Sequence, residues 1–174
     1  MKGTIVDLGS PRPTRDQWAM SIAELTAQRT TCKRRAVGAV LLNGRGHLIA
    51  TGYNGVASGM AHCNERVVQI VPTVKHEFAA VDTYPYACAG AGAAPGTQLD
   101  ACGAIHAEIN CLLQCPNVYE IATCYVTTAP CVSCTKALLN TSCKEIMFMG
   151  DYPQAAASKA LWESAGRVWR RYSC

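Results

Sequence analysis

Apolar positions along the chain follow two rhythms, one helical and one extended. Thr14-Arg15-Asp16-Gln17 fits a capping box, in which threonine and glutamine side chains satisfy the first unpaired N–H groups of a helix. Trp18, Ile22 and Leu25 follow at helical spacing, which predicts a helix opening at Thr14 with these three residues as its core-facing stripe. The rhythm then changes. A basic stretch ending in Lys33-Arg34-Arg35 runs into the unbroken apolar segment Val37 to Leu42, which reads as a buried strand. Asn43-Gly44-Arg45-Gly46 predicts a turn and His47 to Thr51 the returning strand of a hairpin. The hairpin ends in Gly52-Tyr53-Asn54-Gly55, whose glycines mark unusual dihedrals, a close approach to a ligand, or an ordinary turn.

Residues 1–13 show no period and read as an N-terminal arm, and residues 56–104 read as a long insertion that needs an organiser. Beyond it the order is regular. Helices are predicted at His106–Cys115, Cys131–Asn140 and Gln154–Ala165, and strands at Ile121–Thr127, Glu145–Met149 and Arg167–Arg170. Such alternation predicts an α/β fold with a mixed five-stranded sheet, antiparallel at its first hairpin and parallel thereafter, flanked by helices. The helices opening at His106 and Cys131 start where the chain leaves the sheet, so their N-termini should meet at one crevice.

Composition narrows the class. With 174 residues and 49% hydrophobic content, the chain suits one domain, 1–174. No apolar run approaches the ~20 residues of a membrane span, and no basic-plus-apolar leader follows Met1-Lys2, so a soluble, cytoplasmic protein with no membrane partner is expected. The formal charge of +4 is mild and clusters only around Arg29–Arg35, which favours a small anionic ligand over a nucleic-acid partner. The cysteines number 11, an odd count without a secretory signal, which points to reduced thiols and metal ligation instead of disulfides.

The chemistry concentrates between Ile105 and Asn140. His106, Cys131 and Cys134 offer one imidazole and two thiolates, a set suited to zinc, and three protein ligands leave a fourth position for water. Glu108 is placed to exchange protons with the occupant of that position. Residues two apart on a helix point to nearly opposite sides, so His106 and Glu108 can share one water only at a helix entrance. A position at a helix N-terminus should also lower the pKa of both Cys131 and Cys134. Elsewhere, Cys32, Cys63, Cys88 and Cys102 are candidates for a closed structural zinc, with His62 or His76 as substitutes; the alternative is that they are small buried residues. Lys33, Arg34 and Arg35 are candidates for a phosphate, Asn54 and Asn110 for nucleotide or effector contacts, and Tyr152 for stacking on a base.

His-x-Glu followed by Pro-Cys-x-x-Cys is the established signature of the zinc nucleobase deaminases. Four motifs narrow the likeness: Cys32-x-Arg34-x-x-Val37-Gly38-Ala39, Gly52-Tyr53-Asn54-Gly55 with Gly59 and His62-Cys63, His106-Ala107-Glu108-Ile109-Asn110, and Thr127-x-x-Pro130-Cys131-x-x-Cys134. On these the chain resembles the deoxycytidylate (dCMP) deaminases of phages and bacteria over nearly its whole length. Free-cytidine deaminases usually present a cysteine where His106 stands, and polynucleotide deaminases would need a more basic, aromatic channel.

The resemblance implies a cytidine-deaminase-like three-layer α/β/α fold, catalytic zinc, and hydrolysis of dCMP to dUMP in support of dTMP synthesis. It further implies a homohexamer in the cytoplasm, that of the host if the source is viral, activated by dCTP with magnesium and inhibited by dTTP. It suggests that Cys32 and Cys63 belong to a second, structural zinc. Where relatives complete that site with a histidine or glutamate just before the catalytic motif, this chain has Cys102 and Ala104. Some relatives also carry an aromatic and an arginine linked to the effector response where this chain reads Cys115-Pro116-Asn117. The rival readings are a bifunctional dCMP/dCTP deaminase, a deaminase of a base in RNA, and a catalytically silent zinc module.

Overall fold

The structure, a computed structural model, describes residues 12–65, 67–72, 78–84, 90, 92–94, 97 and 102–173. Helix α1 spans Arg15–Ala27, and strands β1 and β2 span Gly38–Asn43 and Leu48–Tyr53. The short strand β3, Gly55–Val56, precedes β4 at Val67–Pro72 and β5 at Phe78–Tyr84; β6 is Ala104–Ile105. Then come α2 at Ala107–Gln114, a 3-10 turn at Val118–Glu120, β7 at Ile121–Thr128, α3 at Val132–Leu139, β8 at Glu145–Gly150, α4 at Ala155–Ser164 and β9 at Val168–Arg171.

The main sheet has five strands in the order β2-β1-β7-β8-β9. β1 is antiparallel to β2 and also to β7, whereas β7–β8 and β8–β9 are parallel. The expected switch to parallel pairing therefore comes one strand later than predicted, because β1 and β7 are not joined by a single helical crossover. Within the 56–104 insertion, β4 and β5 pair antiparallel, and β3 pairs with β6 through Gly55–Ile105 and Val56–Ala104. That second ladder ties the end of the hairpin to the residue before His106.

β1 is buried on both faces, which is why its sequence is unbroken instead of alternating. Val40 and Leu42 join Ala19, Met20, Ala23, Tyr125 and Met147 beneath α1. Ala39 and Leu41 face the other way, into a larger cluster with Cys111, Leu138, Phe148 and Trp162 drawn from α2, α3, α4 and the sheet. The result is one helix on one face and three on the other, the α/β/α layering expected.

Thr14 caps α1 as predicted, with both halves of the capping box formed. Of the predicted stripe only Ile22 packs against the core: Trp18 and Leu25 are 39% and 64% exposed, and the buried face is Ala19, Met20, Ala23 and Ala27. The small face wins because helix and sheet approach closely at Gly38, where a Cβ would run into the Ala23 carbonyl oxygen and the Ala27 nitrogen. Large residues on that face would separate the layers. Among the described residues no helix is long and apolar enough to cross a membrane.

Candidate active site

Two helix entrances build the site. His106 is the N-cap of α2 with extended backbone, φ −67° and ψ 152°, so its side chain leaves the helical pattern that Glu108 follows within the first turn. This is the entrance geometry the two-residue spacing requires. Cys131 is the N-cap of α3, also extended, and its Sγ accepts from the Cys134 N–H at 3.5 Å. Cys134, three residues on, lies on the same side of the helix.

Tertiary contacts bring the entrances together. α2 lies directly on β2 at Gly52, where a Cβ would overlap the Cys111 nitrogen and the Ala107 carbonyl oxygen. Of the alternatives open for the glycines flanking Asn54, unusual dihedrals, close approach to a ligand or an ordinary turn, Gly52 shows a close approach, and it is the backbone of α2 that approaches. At the other entrance, Ala129 N–H donates to the Gly150 carbonyl at 2.8 Å, fixing the turn between β7 and Cys131 against the end of β8. His106 Nδ1 consequently sits 3.4 Å from Cys131 Sγ and 3.3 Å from Cys134 Sγ.

The donor set fits zinc. Bond lengths of about 2.3 Å to sulfur and 2.0–2.1 Å to nitrogen at a tetrahedral angle place the two donor atoms roughly 3.6 Å apart. The observed 3.3 and 3.4 Å need only a slightly narrowed angle. Among the described residues this trio is the group of three or more His, Cys, Asp or Glu side chains close enough to hold an ion, all ligand atoms lying within 4.8 Å of one another.

Its electrostatics are those of a poised ligand set. Hydrogen bonding from Cys134, against opposing burial and aided by His106, holds the Cys131 thiol down at about 4. Cys134 goes the other way, far above the thiol range, because it donates to Cys131 and is buried. The expectation of two lowered thiols thus holds for one: the pair shares a proton, which ligation of a divalent cation displaces. His106 is raised, first by its bond to Cys131, while burial works against it. Glu108 is 4% exposed, and burial raises its carboxyl above the usual range.

A pocket opens over these groups and takes in much of the predicted set: Arg34, Arg35, Asn54, Glu108 and Tyr152 all line it. Arg34 Nη2 donates to the Ala94 and Thr97 carbonyls at 2.6 and 2.8 Å, holding part of the insertion against the pocket. Arg35 lies over the Tyr152 ring, 5.9 Å from its centroid, and reaches the Asp151 carbonyl at 3.4 Å. Tyr152 Oη is buried with no hydrogen-bond partner among the described residues, and burial raises its pKa. Asn54 lines the pocket but spends its amide on backbone, accepting from Val37 N–H and donating to the Arg35 carbonyl.

Other candidates fall elsewhere. Lys33 is exposed and not part of the pocket wall, and Asn110 donates to the Tyr53 carbonyl at 2.8 Å, joining α2 to the hairpin. Cys32 and Cys102 line the catalytic pocket and Cys63 is buried; among the described residues these three are not gathered into one metal-holding group, and Cys88 and His76 lie outside those residues. Val37, Ala104, Thr128 and Ala129 also form the wall. No spacing signal singles them out, because their membership follows from where β1, β6 and β7 end.

Comparison with known proteins agrees with this geometry. Residues 13–150 match the family described as cytidine and deoxycytidylate deaminase zinc-binding region. The deoxycytidylate deaminase of Schizosaccharomyces pombe is 32% identical over 163 residues, 92% of this chain; the chain spans 45% of that protein's length. The deoxycytidylate deaminase of Mycobacterium phage D29 is 33% identical over 141 residues, covering 79% of this chain and 95% of the phage protein. In fold, the dCMP deaminase of cyanophage S-TIM5, solved with dCMP and dUMP, superposes with a TM-score of 0.64 at 21% identity, over 94% of this chain and 100% of that one. With its His-x-Glu and Pro-Cys-x-x-Cys residues converging at two helix entrances, the chain belongs to the cytidine and deoxycytidylate deaminase family.

Proposed function

We propose that this protein hydrolyses dCMP to dUMP and ammonia with zinc as its metal. The observation that carries the reading is the buried Glu108 carboxylate lining the same pocket as His106 and Cys131. Relatives named deoxycytidylate deaminase, and a phage neighbour that binds dCMP and dUMP, support the choice of substrate.

His106, Cys131 and Cys134 would hold the ion, which when bound supplies the Lewis acidity that lets water ionise near neutral pH. Glu108 takes the proton of the attacking water and places it on N3 of the cytosine, making C4 electrophilic. As the C4–O bond forms and the C4–N bond breaks, Glu108 delivers the second proton to the departing amine. Burial serves this exchange by keeping bulk water from competing for the proton. Arg34 and Arg35 are assigned to the 5′-phosphate, since guanidinium groups bind phosphate oxygens through paired bonds; Lys33 adds charge outside the wall. Tyr152 is assigned to the nucleotide as a ring to stack on or a hydroxyl to donate.

The family resemblance supports the finer parts of the proposal: a cytoplasmic homohexamer feeding dTMP synthesis, activated by dCTP with magnesium and inhibited by dTTP. It also supports a second zinc drawing on Cys32 and Cys63, with Cys88 and Cys102 as further candidates.

The test is ammonia release from dCMP, dCTP, deoxycytidine and short cytosine-containing oligonucleotides in one assay, with zinc content measured on the same sample. Turnover of dCMP well above the other three is expected. Preferential turnover of dCTP or of an oligonucleotide would reassign the substrate, and zinc content with no turnover would leave a silent binding module.

A further inference from the structure

Arg34 joins parts of the chain that lie 60 and 63 residues apart in sequence. Its Nη2 carries two protons and meets two acceptors, the Ala94 carbonyl at 2.6 Å and the Thr97 carbonyl at 2.8 Å. Those carbonyls are themselves linked, because the Thr97 N–H and hydroxyl both return to the Ala94 oxygen, at 3.1 and 2.7 Å. The pair therefore sits on the guanidinium as one unit.

The backbone around Arg34 is fixed as well. Thr30 Oγ1 accepts from the Cys32 N–H at 3.1 Å and donates to the Asn54 carbonyl at 2.6 Å, while Asn54 Nδ2 donates to the Arg35 carbonyl at 2.8 Å. Both flanks of Arg34 are thus held at the end of β2, and its side chain lines the catalytic pocket with Arg35 and Tyr152. Burial raises the Tyr152 pKa and the charges of Arg34 and Arg35 oppose that rise, so both guanidinium groups stand within electrostatic reach of the hydroxyl. The two arginines are not equivalent toward a ligand. Each two-pronged edge of a guanidinium, Nε with Nη2 or Nη1 with Nη2, includes Nη2, so Arg34 has single bonds to offer and no open fork. Arg35 donates only from Nη1, at 3.4 Å to the Asp151 carbonyl, and its Nε–Nη2 edge meets no acceptor among the described residues.

This arrangement suits one phosphate group, gripped by the open edge of Arg35 and touched by Arg34. A longer chain would have to continue past Arg34, where two carbonyl oxygens already occupy the donors that a second phosphate needs. Their partial negative charge opposes it further. We propose that the Ala94 and Thr97 carbonyls, latched onto Arg34, form a stop that restricts the catalytic pocket to nucleoside monophosphates. The inference rests on the reading of that pocket as the site of dCMP deamination, and assigns the selection of phosphate length to residues that reading leaves without a role.

Steady-state deamination of dCMP, dCDP and dCTP, each supplied alone to the zinc-loaded full chain, tests it through the ratios of kcat/KM. Wild type should favour dCMP over dCDP and dCTP by about tenfold or more, the scale of an uncompensated like-charge contact. T97V keeps the shape of the residue but removes the hydroxyl that anchors the Ala94 oxygen. It should raise the dCTP-to-dCMP ratio by about two- to tenfold, the worth of one hydrogen bond. R34K has no planar fork to hold both carbonyls, so it should raise that ratio further while lowering kcat/KM for dCMP. Circular dichroism checks that each variant is folded. Equal kcat/KM for dCMP and dCTP in wild type would overturn the stop, as would an unmoved ratio in both folded variants, and in either case dCMP deamination itself would stand. Turnover of none of the three nucleotides would instead remove the reaction, and the stop with it.

Discussion

Asn54 binds the backbone on both sides of Ala36: its Oδ1 accepts the Val37 N–H at 2.9 Å and its Nδ2 donates to the Arg35 carbonyl at 2.8 Å. The link is reinforced through main chain, since Asn54 N–H donates to the Val37 carbonyl and the Thr30 hydroxyl donates to the Asn54 carbonyl. The segment that presents Arg34 and Arg35 to the pocket is therefore tied to the end of β2. N54A would leave buried partners unsatisfied and should cost about 2–4 kcal/mol of stability. Its KM for dCMP should rise more than its kcat falls. A KM left at the wild-type value would show that the arginines keep their place without this tie.

Glu108→Gln preserves shape and hydrogen bonding but cannot carry a proton. Turnover should fall by at least about a hundredfold, within the range expected for general acid–base groups. Zinc content should be unchanged. Near-normal kcat with zinc bound would remove Glu108 from its assigned role.

Gly52→Ala places a methyl group against the backbone of α2, which cannot yield as a side chain tip can. Destabilisation of about 2 kcal/mol or more is expected from the overpacking. Because α2 begins at His106, the proposed zinc ligand, zinc affinity should fall along with the melting temperature. A lowered melting temperature with unaltered zinc affinity would show that the N-terminus of α2 stays in place while the rest of the helix shifts.

Arg167 gathers the end of α3, donating from Nη1 to the Leu138 carbonyl at 3.1 Å and from Nη2 to those of Leu139 and Thr141 at 2.8 and 3.2 Å. Its guanidinium also lies 5.0 Å from the ring centroid of buried Trp162. R167A should lower stability by about 1–3 kcal/mol by leaving helix-end carbonyls without donors. R167K should recover only part of that, because lysine lacks the planar fork. Equal unfolding midpoints for R167A and wild type in urea would show that solvent satisfies those carbonyls as well.

Buried thiols set an alkaline limit. Burial pushes Cys143 from its ordinary value of 9.0 up to about 12, and raises Cys111 and Cys124 in the same direction. The folded state then holds protons that the unfolded chain gives up. This contribution to stability is fully present below the ordinary thiol value and is lost as pH rises toward the folded one. Urea midpoints should fall steadily from pH 9 upward, and these three cysteines should resist alkylation at pH 8 in the native protein. A flat stability profile to pH 11 would mean that they titrate as exposed thiols do.

The proposed ligands, the proposed proton carrier and most of the helices and strands are named by the sequence, because each is a local property. Ligand type and spacing name His106, Glu108, Cys131 and Cys134, and period and capping residues place the helices and the five strands of the main sheet within one or two positions, whereas no periodicity marks β3 to β6. What failed was not local. Trp18 and Leu25 have helical spacing, but only the close approach at Gly38 decides that an alanine face turns inward and leaves the indole outside. Asn54 and Asn110 read as ligand contacts, yet the fold spends their amides on backbone, which no spacing records. Cys32, Cys63 and Cys102 share a residue type with a metal site, and burial of Cys63 and exposure of Cys32 and Cys102 to the pocket are set by the fold, which no residue type records. Cys131 and Cys134 sit at equivalent helix entrances in the sequence, but their opposite pKa shifts arise from a sulfur–sulfur contact that exists only once α3 is folded. The sequence thus decides which groups are available; the packing of α2 and α3 against the sheet decides which of them meet and in what protonation state.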